Sequence, residues 1–281
     1  MASSGNTGKW ADLAIRSASA AVLVPIVVAA VWLGGPIFAA LLAVVGLLMA
    51  TEWLRLVYPQ RSPVQMTLHI AAVVGAVLAA LFMGPFVASV VVLLAWAASV
   101  AHLLIRRPPV RSWSALGIGY VAIPVLSLLA LRLDPAYGLA AIIWLLLIVW
   151  SADTAAYLVG RLIGGPKLAP RISPGKTRSG FGGALLGGAI AAGATGFVLQ
   201  LPSLAMLMLL GAVIAAISQL GDLFESLLKR HAEVKDSGHL IPGHGGILDR
   251  VDGLITAAIA AWAIGAVHGG FENIASGLLV W

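Results

Sequence analysis

Apolar residues run along this chain in blocks long enough to cross a bilayer, and the polar residues crowd into the gaps between them. Read with a window of about 19 residues, nine apolar segments stand out, near 18–34, 37–57, 65–83, 86–105, 115–131, 137–160, 181–199, 203–221 and 254–268. The fold this predicts is all-α and polytopic, with about nine transmembrane helices, because only helices or closed barrels satisfy their backbone inside lipid. With a cytoplasmic N-terminus, every one of the 17 Lys and Arg residues except Arg132 falls on the inner side. That bias is the one that orients membrane helices, so the N-terminus is expected in the cytoplasm and the C-terminus outside. The first segment follows Lys9 and Arg16, as a signal peptide would, but no convincing small-residue cleavage site separates it from Trp32 and the next span.

Composition supports the pattern, since 60% of the 281 residues are hydrophobic and 10% charged, which is outside the range of soluble domains. With no cysteine, thiolate metal sites and thiol nucleophiles are excluded. The net charge of +6 invites a nucleic-acid reading, but the basic residues follow membrane rims, so no nucleic-acid partner is expected.

Polar chemistry is unevenly spread. Residues 1–136 read as scaffold helices, and residues 137–281 as the catalytic region, with cytoplasmic loops at 161–180 and 229–250. Asp153 sits inside the apolar sixth segment with Tyr157 one turn later on the same face. Intramembrane acids are functional by default, the alternative being a buried Asp held by a neighbouring helix. The stretch KLAPRISPGKTRSGFG from Lys167 reads as a loop rich in amides, hydroxyls and cations suited to a polyphosphate, or as a basic stretch held against anionic lipid. Gly175-Lys176-Thr177 is no Walker A loop, since Pro170 stands where that motif needs glycine.

The eighth span closes with Asp222, Glu225, Ser226 and Lys229 on one helical face, a set of metal ligands beside a cation or a simple interfacial salt bridge. Beyond it, Gly243-His244-Gly245-Gly246 makes an amide-rich turn. Asp249 and Asp252 then open the last span at i and i+3, where acids also serve as helix caps. Mg²⁺ takes one or two carboxylates plus substrate phosphates, which suits an Asp222, Asp249, Asp252 cluster at a membrane rim. Gly183 and Gly187 fit close helix packing, within the chain or across a homodimer.

The run Ser226, Lys229-Arg230, Lys235-Asp236, Pro242, His244-Gly245-Gly246, Asp249-Arg250 and Asp252 resembles the signature of the phosphatidate cytidylyltransferases, the CDP-diacylglycerol synthases, and ADTAAYLVGRLIG and SPGKTRSGFGG resemble the same family. The resemblance implies that CTP and phosphatidate give CDP-diacylglycerol and pyrophosphate, with Mg²⁺ and a second cation, in phospholipid biosynthesis at the bacterial inner membrane. It also implies Asp222, Asp249 and Asp252 as metal ligands, and catalytic work for Asp222, Asp249, Lys229, Arg230 and His244. Substrate binding falls to Ser173, Lys176, Thr177, Ser226, Lys235, Asp236, Arg250 and Asp153. Two other readings fit less well. A CDP-alcohol phosphotransferase needs an Ala-Arg pair shortly after Asp-Gly, but Leu-Ile-Thr-Ala follows Asp252-Gly253. A transporter would set its acids near the midplane in paired repeats rather than at one rim.

Overall fold

The computed structural model describes residues 19, 21–57, 62–106, 111–238, 240 and 245–281. Its helices are α1 (Ala21–Leu33), α2 (Gly35–Val57), α3 (Pro63–Phe82), α4 (Pro85–Arg106), α5 (Arg111–Leu133), α6 (Gly138–Leu162), α7 (Arg178–Val198), α8 (Leu204–His231), α9 (Leu248–Gly269) and α10 (Ile274–Leu279). Eight of them, α2 to α9, are long and apolar enough to cross a membrane, as the hydropathy pattern predicts. The described part of the first expected span, α1, is shorter than a crossing requires. Among the described residues two short strands interrupt the helices, β1 (Lys167–Ala169) and β2 (Ser173–Thr177), paired antiparallel.

Helix ends fall where the backbone demands them. α6 stops at Gly164 and Gly165, both at positive φ, followed by Pro166, which cannot continue a helix. α3 starts with Ser62 accepting from the Gln65 amide and with Pro63 at the first helical position. α8 runs 28 residues, about 42 Å at 1.5 Å per residue, against a hydrocarbon core of about 30 Å. Its polar last turns therefore stand clear of the apolar layer. Hydropathy ends the span near Gly221, but the helical backbone continues to His231.

Small residues set the close crossings. Gly183 and Gly187 of α7 pack on Val159, Ala155 and Ser151 of α6, so this pair serves packing within the chain. Gly188 lies on Gly211 and Ala215 of α8. Between α8 and α9, Ser218 meets Gly253, and Gly221 meets Thr256, whose hydroxyl donates to the Ile217 carbonyl at 2.9 Å. That crossing brings the acids of α8 against Asp252.

The two ends of the bundle differ in charge. Arg132, the one basic residue expected apart from the rest, lies at the end opposite the other described basic side chains, donating to the carbonyls of Val31 at 2.8 Å and Trp32 at 3.0 Å. Beside it, the buried Asp134 accepts from the amides of Ala136, Tyr137 and Ser276 and from the Ser276 hydroxyl, tying the α5–α6 turn to α10. Burial raises its pKa, but those hydrogen bonds more than offset it and hold the carboxyl below the usual aspartate range.

Candidate active site

At the other end, a cavity of about 560 Å³ opens between α6, the β1–β2 hairpin, the start of α7 and the end of α8. The reading of 167–182 as a loop is refined here. Lys167 faces Thr177 and Ala169 faces Ser173 across a hairpin, and Thr177 then caps α7 by accepting from the Gly180 amide at 3.0 Å. The hairpin turns Lys176 inward. Its ammonium lies 2.7 Å from Asp222 Oδ2 and 3.1 Å from Gln219 Oε1, while Gln219 donates its amide to Asp153 Oδ1 at 2.8 Å. Three segments distant in sequence thus meet through one lysine and one glutamine.

Asp153 and Tyr157 both line this cavity, as their shared face predicts. Arg161, one turn further, donates to the Tyr157 hydroxyl at 2.8 Å and adds a second cation to the wall. Ala156, Leu168 and Phe181 supply apolar wall. A polar floor with apolar sides suits a phosphate group carried on a hydrocarbon body.

A second cluster forms one turn along α8. Lys229 lies 3.0 Å from Glu225 Oε2, the i to i+4 pair foreseen as a salt bridge, and also 2.6 Å from Asp249 Oδ1. The other oxygen of Asp249 accepts from the Ser237 amide at 2.8 Å, the Ser237 hydroxyl at 2.9 Å and the Gly246 amide at 2.9 Å. Asp249 thus pairs with a lysine and ties the preceding loop to α9, while the capping expected of it falls on no side chain of α9 itself. Ser226 donates to Asp222 Oδ1 at 3.4 Å and links the two clusters. Asp252 is in electrostatic contact with acids of both, Glu225 and Asp222, and with Asp153.

The remaining candidates lie further out. Arg230 donates to the Ile172 carbonyl at 3.4 Å and fastens the hairpin to α8. Ser173 is half-buried at the far end of β2 from Lys176, and Lys235, Asp236 and Arg250 are exposed. His244 and Pro242 lie outside the described residues.

Among the described residues, no three His, Asp or Glu side chains stand together as a ready metal set. Asp222 and Asp249 each hold a lysine ammonium instead. A lysine is a point cation, so both carboxylates already bind positive charge where Mg²⁺ would need it, and Mg²⁺ requires only one or two such ligands beside phosphate and water. Glu225 Oε1 and the Tyr120 hydroxyl, both buried without a hydrogen-bond partner among the described residues, belong to the same acidic group, with Tyr120 in electrostatic contact with Glu225, Asp252 and Asp222. The donor set fits a hard cation.

Four participants escaped the sequence reading. Gln219 reads as an ordinary polar residue of a span, Arg161 as a helix-end charge, and Ser237 as a loop residue. The fourth, Glu52, comes from the expected scaffold. It is fully buried on α2, and its carboxylate accepts from the amides of Ile247 and Leu248, both at 2.9 Å, and from the Ser237 hydroxyl at 3.0 Å. Its signal was a lone acid in an apolar run.

Comparison with known proteins agrees with this geometry. The profile of the "Cytidylyltransferase family" matches residues 14–268. A phosphatidate cytidylyltransferase of Brucella suis is 38% identical over 273 residues, covering 91% of this chain and 94% of its own. One from Pseudomonas aeruginosa is 36% identical over 260 residues, covering 88% and 94%. One from Bacillus subtilis reaches 47% over a shorter stretch of 120 residues, 42% of this chain and 45% of its own. With the match spanning nearly the whole bundle, the chain belongs to the cytidylyltransferase family.

Proposed function

We propose that this protein is a CTP:phosphatidate cytidylyltransferase of the bacterial inner membrane, with its active site on the cytoplasmic side. The observation that carries the reading is the Lys176–Asp222–Gln219–Asp153 network flooring an amphipathic cavity at the rim of the bundle, in a chain whose full-length relatives bear that enzyme's name. The concentration of basic residues at this end supports a cytoplasmic orientation.

Both substrates are phosphates, so the ground and transition states carry dense negative charge. Catalysis then rests on positioning and cation clamps, with no covalent protein intermediate. A phosphate oxygen of phosphatidate attacks the α-phosphorus of CTP, the bond to the bridging oxygen breaks, and pyrophosphate leaves with the electron pair. Lys176 and Thr177 take the triphosphate from the hairpin side, and Arg161 adds charge at the mouth. Lys229 and Ser226, at the end of α8, steady the phosphate of the lipid, and Arg230 holds the hairpin over the cavity. Asp222, Asp249 and Asp252 would hold Mg²⁺, with Glu225 beside them for a second cation. When bound, such ions supply neutralisation of the phosphates and the leaving group. The apolar wall at Ala156, Leu168 and Phe181 leaves the acyl chains in the bilayer while CTP enters from water.

The test is pyrophosphate release by the purified protein in mixed micelles. Release from CTP that requires both phosphatidate and Mg²⁺ supports the reading. Release without phosphatidate, or equal release from ATP, GTP and UTP, contradicts it.

A further inference from the structure

We infer that Glu52, from the second helix, is a positioning residue of the active site: it holds the loop before α9 so that Asp249 faces Lys229. The inference rests on the reading of Asp249 as part of the catalytic machinery. Glu52 does not line the cavity, so it acts through other residues and does not touch substrate there.

Three observations support this role. The first is the engagement of both its oxygens across 195 residues of sequence. Oε1 accepts from Ile247 N, and Oε2 from Leu248 N and Ser237 Oγ. The residue at the N-cap of α9, Ile247, has no side-chain acceptor to offer the free amides of the first turn, and Glu52 supplies one from another helix. The second is the sharing of one hydroxyl. Ser237 Oγ stands 3.0 Å from Glu52 Oε2 and 2.9 Å from Asp249 Oδ2, so a single proton serves two carboxylates and fixes their separation. The third is the room cleared for this carboxylate. A Cβ on Gly238 or on Gly246 would press on the Glu52 carboxylate, so glycine at both places lets the loop backbone close over it.

Capping alone does not require this arrangement. A serine or aspartate at position 247 would cap the helix locally through the amides of its second and third residues, without the desolvation cost of a fully buried carboxylate inside an apolar helix. What Glu52 adds is the grip on Ser237, and through it a fixed direction for the Asp249 carboxylate, whose Oδ1 is thereby left to Lys229 at 2.6 Å.

The test compares Glu52→Ala, Glu52→Gln and Ser237→Ala in the full chain, with Asp249→Asn alongside, by steady-state kinetics and by thermal unfolding in detergent. Glu52→Ala and Ser237→Ala are expected to lower kcat by about tenfold to a hundredfold, the cost of a misplaced catalytic group, with KM for CTP and for phosphatidate changed less than about threefold. Ser237→Ala should keep the parent's Tm, and adding it to Glu52→Gln should cost less than the sum of the two, because they break one linkage. Glu52→Gln keeps one acceptor oxygen and should retain more activity than Glu52→Ala. If Glu52→Ala does not fold, the other two variants decide. Parental kcat in both Ser237→Ala and Glu52→Gln, or a loss confined to KM, overturns the inference. In that case an inactive Asp249→Asn leaves the proposed function standing, whereas a fully active Asp249→Asn removes the reading beneath it.

Discussion

The ammonium of Lys229 lies 2.6 Å from Asp249 Oδ1 and so joins the end of α8 to the first turn of α9. The pair is nearly buried, with side-chain exposures of 15% and 4%, and Glu225 is a second partner for the lysine at 3.0 Å. Asp249→Asn keeps an acceptor for the Ser237 and Gly246 amides but removes the charge. Turnover should fall at least about a hundredfold, and Tm should drop modestly because Glu225 still neutralises Lys229. Near-normal turnover at saturating Mg²⁺ would remove Asp249 from the chemistry.

Lys176 stands on the hairpin, with its ammonium on Asp222 and Gln219 in the cavity floor. Lys176→Ala should raise KM for CTP about tenfold or more and change KM for phosphatidate much less. Initial rates with each substrate varied in turn measure both. The opposite ratio would assign the hairpin to the lipid.

The helical bundle was legible in the hydrophobic pattern because a bilayer allows so few backbone solutions. Eight of the nine expected spans, and the placement of Arg132 apart from the other basic residues, follow from apolar block length and charge bias alone. Of the site, Asp153, Asp222 and Asp249 were legible as costly charges in or beside apolar spans, Lys229 as the cation on the face of Asp222, and Lys176 as a cation of a loop suited to polyphosphate. Which of them meet was not, since helical spacing relates residues within one helix only. The Lys176–Asp222 pair spans two helices and a hairpin, and Glu52 reaches Ile247 and Leu248 from the far half of the chain. The hairpin itself was hidden because Pro170 and Pro174 are turn residues, and no apolar alternation marks its strands.

At the far end of the bundle, Asp134 offers a pH test independent of catalysis. Its folded pKa lies below the ordinary value, about 3.9 in model peptides. Its contribution to stability is thus complete above that value and is lost as pH falls through the lower folded pKa. Asp134→Asn should lower stability by about 1–2 kcal/mol near neutral pH, since it weakens hydrogen bonds to a charged acceptor. In thermal scans the difference between variant and parent should shrink below about pH 4. A difference that stays constant across that range would show that the charge contributes nothing.

α7 packs closely on α8. A Cβ at Gly188 would collide with Ala215 and with the Gly211 carbonyl, whereas one at Gly182 meets nothing within 4 Å. Gly188→Ala should therefore destabilise by about 1–3 kcal/mol and Gly182→Ala by much less, as read from Tm in detergent. Equal effects would contradict the packing.

In the proposed reaction one rim cavity brings CTP and phosphatidate together for transfer at the α-phosphorus. CTP labelled at the α-phosphate and CTP labelled at the γ-phosphate, each incubated with phosphatidate, Mg²⁺ and the purified chain, test it most directly. The α-label should pass into the lipid phase while the γ-label remains in water as pyrophosphate, and Asp222→Asn should abolish both the transfer of the α-label and the release of pyrophosphate. Recovery of the γ-label in lipid, or of neither label with a folded parent protein, would contradict it.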